Sequence, residues 1–195
     1  MLGLDPGIHD SQTFDLYRCW TRPDPVGIPM LERQPFDVES YVRRTQIGTC
    51  FICEMLRDNP EYHHHRIYED GEDVIFLSKY PTQPGYCLVC PKAHHIDIAE
   101  DLSSDAYLRL QSKVHQLSRA LKKIFDAERI YVLSLGSNQG NAHLHWHVVP
   151  LPRNTPYDKQ QYHALMAENG VLRFSEAELC DMADKIKRAF VPVSE

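Results

Sequence analysis

From His143 to Val149 the chain reads His-Leu-His-Trp-His-Val-Val, with imidazoles alternating with apolar side chains. Imidazole titrates near neutrality, so one ring can attack as a nucleophile while a neighbour carries a proton, without extreme tuning of either. Such rings suit a phosphoanhydride or phosphoramidate, whose cleavage needs an in-line nucleophile, neutralised oxygens and help for the leaving group. The period-two alternation predicts a β-strand. Residues two apart on a strand lie about 6.5–7 Å apart on one side. His143, His145 and His147 would then form a row, with Leu144, Trp146 and Val148 turned into a core. A helix would scatter the same rings around its circumference. The preceding turn, Gly136-Ser137-Asn138-Gln139-Gly140-Asn141, offers backbone amides and short polar side chains to a phosphate.

Other clusters carry weaker signals. Cys50-Phe51-Ile52-Cys53 has the spacing at which two thiolates share one zinc ion, and equally that of two buried thiols. Cys87 and Cys90 have the same spacing, but within a strand they fall on opposite faces and read as core or surface thiols. His63-His64-His65 reads as a polar loop, because three successive residues of a strand cannot all face one ion. His163 follows Pro156-Tyr157 in a segment that could lie near a pocket, and His115 reads as a surface residue.

The whole chain bounds these readings. Its 195 residues, 43% hydrophobic and 25% charged, suit one soluble globular domain with an extension. A net charge of −6 argues against a general nucleic-acid binder, which needs a basic footprint. An anionic substrate would have to be drawn in locally by histidines and backbone amides. No apolar run is long enough for a membrane span. Met1-Leu2-Gly3-Leu4-Asp5-Pro6 lacks the basic and apolar regions of a secretory signal, so a cytoplasmic location is expected. Six cysteines then read as thiols or metal ligands, not as a disulfide framework.

The elements that would hold the histidine row follow in order. Residues 1–45, with Pro6, Pro23, Pro25, Pro29 and Pro35, read as an irregular N-terminal extension whose apolar pieces near Phe14–Trp20 could dock on the domain or a partner. A domain over 46–155 and a C-terminal segment over 156–195 follow. Strands are expected at Arg66–Asp70, Phe76–Pro81, residues 86–90, Arg129–Leu135 and the triad stretch. A Pro-Thr-Gln-Pro-Gly turn at residues 81–85 separates the second from the third. A helix from about Asp105 to Asp126, capped by Ser103 or Ser104, shows an apolar stripe through Tyr107, Leu110, Val114, Leu117, Leu121 and Ile124. Ser175-Glu176-Ala177-Glu178 is a capping-box sequence opening a helix through Leu179, Met182, Ala183, Ile186 and Phe190. Strands joined by tight turns around one long helix imply an α+β fold with an antiparallel five-stranded sheet.

Several of these stretches resemble the histidine-triad (HIT) superfamily. They are the triad itself, the strands around Arg66–Asp70 and Phe76–Pro81, and Gly85-Tyr86-Cys87-Leu88-Val89-Cys90-Pro91-Lys92-Ala93-His94. The last is similar to the family's Gly-His-x-Leu-Val-x-Pro-Lys-x-His, with Tyr86 in place of the usual histidine. Gly-Asn-Ala-His-Leu-His-Trp-His looks more like a bacterial, zinc-containing, diadenosine-polyphosphate-hydrolase-like subgroup. The resemblance implies a nucleotide hydrolase that cleaves a nucleoside-phosphate anhydride or phosphoramidate through a nucleotidyl intermediate on His145, with His147 assisting. A nucleotidyl transferase or phosphorylase, a nucleotide-binding regulator, and a zinc-stabilised interaction module are the alternatives. It implies substrate contacts from Ser78, Asn138, Gln139 and Asn141, Ser78 standing where members often carry aspartate and Gly140 where serine often sits. It implies a structural zinc on Cys50, Cys53, His94 and His143, with His95 as the substitute for His94. It also implies a homodimer through the long helix and an adjacent strand, although the apolar stripe equally permits packing on the chain's own sheet.

Overall fold

Five strands form one antiparallel sheet in the order β1-β2-β3-β5-β4. They are β1 (Arg66–Glu69), β2 (Asp73–Leu77), β3 (Cys87–Pro91), β4 (Arg129–Ser134) and β5 (Trp146–Leu151). The structure is a computed structural model that describes residues 31–190. These residues fall in one compact unit beginning at Leu31. The expected docking of Phe14–Trp20 lies outside the described residues. The α+β fold with a five-stranded antiparallel sheet is the architecture expected from the sequence.

β2 lies earlier than expected, at Asp73–Leu77 and not at Phe76–Pro81. Its register with β3 runs from Asp73 opposite Pro91 to Leu77 opposite Cys87. All five of its residues are buried. A strand covered on both faces reads as a continuous apolar run, so alternation does not mark where it starts. Its end is set by the turn through Gly85, at φ +71°. A Cβ there would stand 2.2 Å from a ring carbon of Phe125.

The N-terminal side holds more regular structure than its prolines suggest. Val38–Ile47 forms helix α1, where an irregular arm through residue 45 was expected. Asp37 caps it by accepting from the Ser40 amide. The proline-poor stretch after Pro35 leaves the helix free to form. Helix α2 (Phe51–Leu56) buries Ile52 and Met55 against Val74, Phe76 and Leu88.

Helix α3 (Ser104–Ile124) begins at the Ser103 cap and buries Leu110, Val114, Leu117 and Leu121, as the apolar stripe predicts. Its stripe also contains Lys113, which sequence periodicity does not mark as buried. The Lys113 Nζ donates to Asp70 and Asp73, each at 2.5 Å, and Arg109 Nε donates to Asp73 at 3.0 Å. The Asp73 side chain is fully buried. A short helix α4 (Tyr162–Leu165) follows β5. The last helix, α5 (Glu176–Ala189), opens with the expected capping box between Ser175 and Glu178. It packs Met182, Ala183 and Ile186 inward, and Gly85 points its amide at the Met182 sulfur, 3.2 Å away.

Burial opposes the ionisation of Asp70, but donors from Lys113, the Asp73 and Glu72 amides and Tyr68 outweigh it and hold the carboxyl well below its usual range. A carboxyl with a lowered folded-state pKa stabilises the fold above its unfolded value, near 4, and loses that contribution as the pH falls. Lys113→Met strands the buried Asp73 charge with Arg109 as its remaining side-chain partner. It should cost about 3 kcal/mol in denaturant unfolding at neutral pH. It should also flatten the loss of stability that wild type shows on acidification below about pH 4.

Candidate functional site

The alternation at residues 143–147 is only partly strand. β5 begins at Trp146, so within the triad His147 alone sits in the ladder, opposite Leu88 of β3 and Leu133 of β4. Beyond Ser134 and Val89 the flanking strands supply no partner in register, and the 143–145 backbone is held by other means. The Leu144 amide donates to the His95 carbonyl at 2.8 Å, and the Ser134 hydroxyl donates to the His145 carbonyl at 2.9 Å. Two of the three rings expected in the row still come together. The His145 and His147 rings meet with centroids 4.7 Å apart, while the Trp146 ring lies 6.2 Å from Tyr107 of α3.

A carbonyl fixes the proton position on His145, and a hydroxyl pairs with His147. His145 Nδ1 lies 2.7 Å from the His143 carbonyl oxygen, which can only accept. The proton therefore sits on Nδ1, and Nε2 keeps a free lone pair. His147 Nδ1 lies 2.9 Å from the Tyr86 hydroxyl. Burial pushes the Tyr86 phenol well above its usual value, so it stays protonated and has a proton to donate to Nδ1. With the hydroxyl as donor, His147 carries its proton on Nε2, a buried atom, and the ring also interacts with the Leu135 backbone. One ring thus presents a lone pair and the other an N–H. Burial lowers the pKa of both, His147 to about 3 with the adjacent His145 adding to the effect, so both rings are neutral near pH 7. An anion entering the pair would meet no resident negative charge.

His143 does not join this pair through its ring. Its Nε2–H donates to the Pro91 carbonyl at 2.8 Å. That bond leaves the Nδ1 lone pair facing Cys50 Sγ at 3.5 Å and Cys53 Sγ at 3.7 Å. His94 Nδ1 lies 3.2 Å from Cys53 Sγ. One ligand atom from each of Cys50, Cys53, His94 and His143 falls within 4.8 Å of the others. His95 is instead used through its backbone carbonyl. Burial and the adjacent Cys50 push the Cys53 thiol up to about 11. A dication among these atoms would offset that repulsion and favour thiolates. The donor set, two thiols and two imidazoles with one tautomer already fixed, fits a tetrahedral zinc ion.

The remaining predicted residues are less directly placed. Ser78 lies just past β2, its amide bonded to the Tyr86 carbonyl at 2.9 Å and its hydroxyl accepting from the Tyr80 amide at 3.4 Å. Asn138 and Gln139 are exposed, and the 136–141 turn is closed by a Ser137–Gly140 bridge. No hydrogen bond from their side chains to the paired imidazoles occurs among the described residues. The Asn141 side-chain amide is engaged by α1, donating to the Tyr41 hydroxyl at 2.7 Å. Tyr41 also belongs to an aromatic group with Phe36 and Tyr80, whose centroids are 5.0–5.7 Å apart. Cys87 and Cys90 are both core thiols, because β3 is covered on both faces. His64 is not a loop residue in solvent. It is 9% exposed, with its ring 5.7 Å from Phe51 and 5.1 Å from Phe76. His115 is exposed, as expected, and His163 uses its carbonyl to accept from Arg33. Tyr41 and Tyr86 are the residues that sequence reasoning did not assign to the site.

A buried imidazole pair at the head of β5 beside a Cys-Cys-His-His cluster, on an antiparallel sheet, defines a small class of α+β proteins. Comparison with known proteins identifies the class. The HIT domain family model matches residues 59–154. An uncharacterised HIT-like protein of Saccharolobus solfataricus is 33% identical over 104 residues, covering 52% of this chain and 73% of the relative. One from Mycobacterium tuberculosis is 35% identical over 113 residues, covering 54% and 72%. Among solved structures, a hypothetical histidine triad nucleotide-binding protein from Sulfolobus tokodaii aligns with a TM-score of 0.58 at 23% identity, covering 72% of this chain and 91% of that one. A Zn-bound histidine triad family protein from Mycobacterium smegmatis aligns at 0.57 and 22%, covering 73% and 93%. The chain belongs to the HIT family.

The tautomer assignment is directly observable. In ¹⁵N NMR spectra of the imidazoles, His147 should show a single Nε2–H form in wild type. In Tyr86→Phe, which removes only the hydroxyl, the ring should become a mixture of both tautomers while His145 is unchanged. A wild-type ring protonated at Nδ1 would contradict the assignment.

Proposed function

We propose that the chain is a nucleotide hydrolase that cleaves a nucleoside-phosphate anhydride or phosphoramidate, of the dinucleoside polyphosphate kind, through His145. The observation that carries this reading is the opposed pair of Nε2 atoms, a lone pair on His145 and a donor on His147, in contacting rings. The His145 Nε2 attacks the α-phosphorus as the bond to the leaving oxygen breaks, and that oxygen departs as an anion held by a hydrogen bond from His147 Nε2–H before it takes a proton from solvent. The ring becomes a nucleotidyl-imidazolium, and its Nδ1–H bond to the His143 carbonyl strengthens as the charge develops. Water then attacks phosphorus, the Nε2–P bond breaks to restore neutral His145, and the water proton passes to solvent. The amides and side chains of the 136–141 turn, with Asn138, Gln139 and Asn141, are assigned to the phosphate, and Ser78 to the sugar side. Nucleotide binding is also the description given to the Sulfolobus tokodaii neighbour.

Structural zinc on Cys50, Cys53, His94 and His143 belongs to the same reading, supported by the donor geometry and by the Zn-bound Mycobacterium smegmatis neighbour. When bound it would supply no chemistry to substrate and would tie α2 to the segment leading into β5. A homodimer through α3 and the β4 edge is assigned as well, because Leu108, Val132 and Leu135 remain exposed there. No described helix is long and apolar enough to cross a membrane.

His145→Ala should reduce release of AMP from diadenosine tetraphosphate to background, with nucleotide binding retained in calorimetry. Turnover unaffected by the substitution would refute the mechanism, and binding without turnover in wild type would replace it with a nucleotide-binding role. Separately, Cys50→Ser should lose about one equivalent of zinc per chain by elemental analysis, together with a lower Tm.

A further inference from the structure

A second cluster lies outside the triad and the cysteine knuckle. His63 and His65 flank His64 in the segment entering β1. The His64 ring faces Phe51 and Phe76, and the two flanking rings meet with centroids 5.2 Å apart. Period-two geometry thus puts two imidazoles on one side and leaves the middle one as a core residue. Facing them is the start of α5. Glu176 Oε1 lies 3.1 Å from His65 Nε2, and Cys180 Sγ lies 3.8 Å from His65 Nδ1. One ligand atom from each of His63, His65 and Glu176 falls within 4.8 Å of the others.

We propose that His63, His65 and Glu176 form a second metal site, for a transition dication such as Zn²⁺, that clips α5 to the entry of β1. An ion pair would account for His65 and Glu176 alone. It would not account for His63, nor for the ridge on α5 that presents Glu176, Cys180 and Asp184 at four-residue intervals on one face. Two imidazoles and a carboxylate suit zinc, nickel or copper better than a hard cation such as Mg²⁺. The backbone on both sides is already ordered. The His65 carbonyl accepts from Leu77 of β2 at 3.0 Å, and Glu176 sits in the first turn of a helix closed by the Ser175–Glu178 box. Little ordering remains for a metal to impose. His65 is the hinge of the site, with Nε2 toward Glu176 and Nδ1 toward Cys180, so the thiol orients the ring and does not share its ligand atom. Three protein ligands leave a coordination position open. A cavity of about 410 Å³ lined by His63, His65, Cys180 and Asp184 has room there for water or a small anion. The site stands apart from the knuckle, so its occupancy does not depend on the zinc of Cys50 and Cys53.

The test is metal stoichiometry on the full chain with its knuckle intact. Titration calorimetry with Zn²⁺ should give wild type one equivalent more than the double variant His63→Ala, Glu176→Gln. The added metal should raise the Tm of wild type and not of the variant. Both substituted residues are exposed and neither closes the α5 cap, so the variant keeps the fold to be measured. Glu176→Gln alone should weaken the second equivalent by at least the roughly 10–100-fold that loss of an outer partner costs. Cys180→Ser should retain that equivalent. Equal stoichiometry and affinity in wild type and the double variant would overturn the proposal. So would a second equivalent that vanishes in Cys180→Ser and persists without His63 and Glu176.

Discussion

The position of His143 is the constraint on which the rest of the site depends. Its three polar groups face three different structures. Nε2–H holds the Pro91 carbonyl at the end of β3, Nδ1 faces the two thiols of the knuckle, and the backbone carbonyl takes the Nδ1–H of His145. The last of these fixes which nitrogen of His145 carries a lone pair. A shift of the His143 backbone would therefore alter the chemistry of His145 without touching its ring. Such coupling works because the Nε2–H of His143 and the Nδ1–H of His145 each meet a carbonyl, which has no proton to give and so leaves no freedom of tautomer.

That constraint also explains how a strand that starts late can still present a pair of imidazoles. β5 begins only at Trp146, and the ladder can order only His147. The backbone before it is held by a carbonyl of the β3–α3 connection and by the hydroxyl of Ser134, each bonding one group of the 143–145 segment. His143 and His145 are nearly fully buried there, and their neutral state follows from that burial. Buried imidazoles cost less when neutral and hydrogen-bonded than when charged, so the segment trades solvation for defined tautomers.

The alternation at 143–147 and the stripe of α3 were readable because each repeats with the period of its element. The capping box at Ser175 was readable because its two side chains satisfy named backbone groups. What escaped the sequence was set by partners far along the chain. β2 has no visible alternation because both of its faces are covered, and its start is fixed only by β3 opposite. Lys113 looks like a break in an apolar stripe until Asp70 and Asp73 are placed beneath it. Tyr86 looks like a departure from a histidine pattern, yet its hydroxyl lies 2.9 Å from His147 Nδ1. Asn141 was read as a substrate contact, and its side-chain amide also donates to Tyr41, one hundred residues earlier, on a helix that proline counting had hidden. Each of these depends on a pairing that no window of local sequence contains.

The histidines at 63–65 follow from the same geometry that makes the triad legible. Read as three adjacent imidazoles, they cannot face one ion. Read with a period of two, they divide into one ring for the core and two for the surface, and this is how they lie. His64, neutral with a pKa lowered to about 4 by burial, packs on Phe51, whose ring in turn lies 6.4 Å from His145. His63 and His65 face α5 from the other side. One short segment thus touches both the hydrophobic wall beside the triad and the outer helix. Anything that fixes the backbone of this segment through its outward rings also fixes the direction in which the inward one leaves the chain, because successive Cβ atoms of extended backbone point to opposite faces.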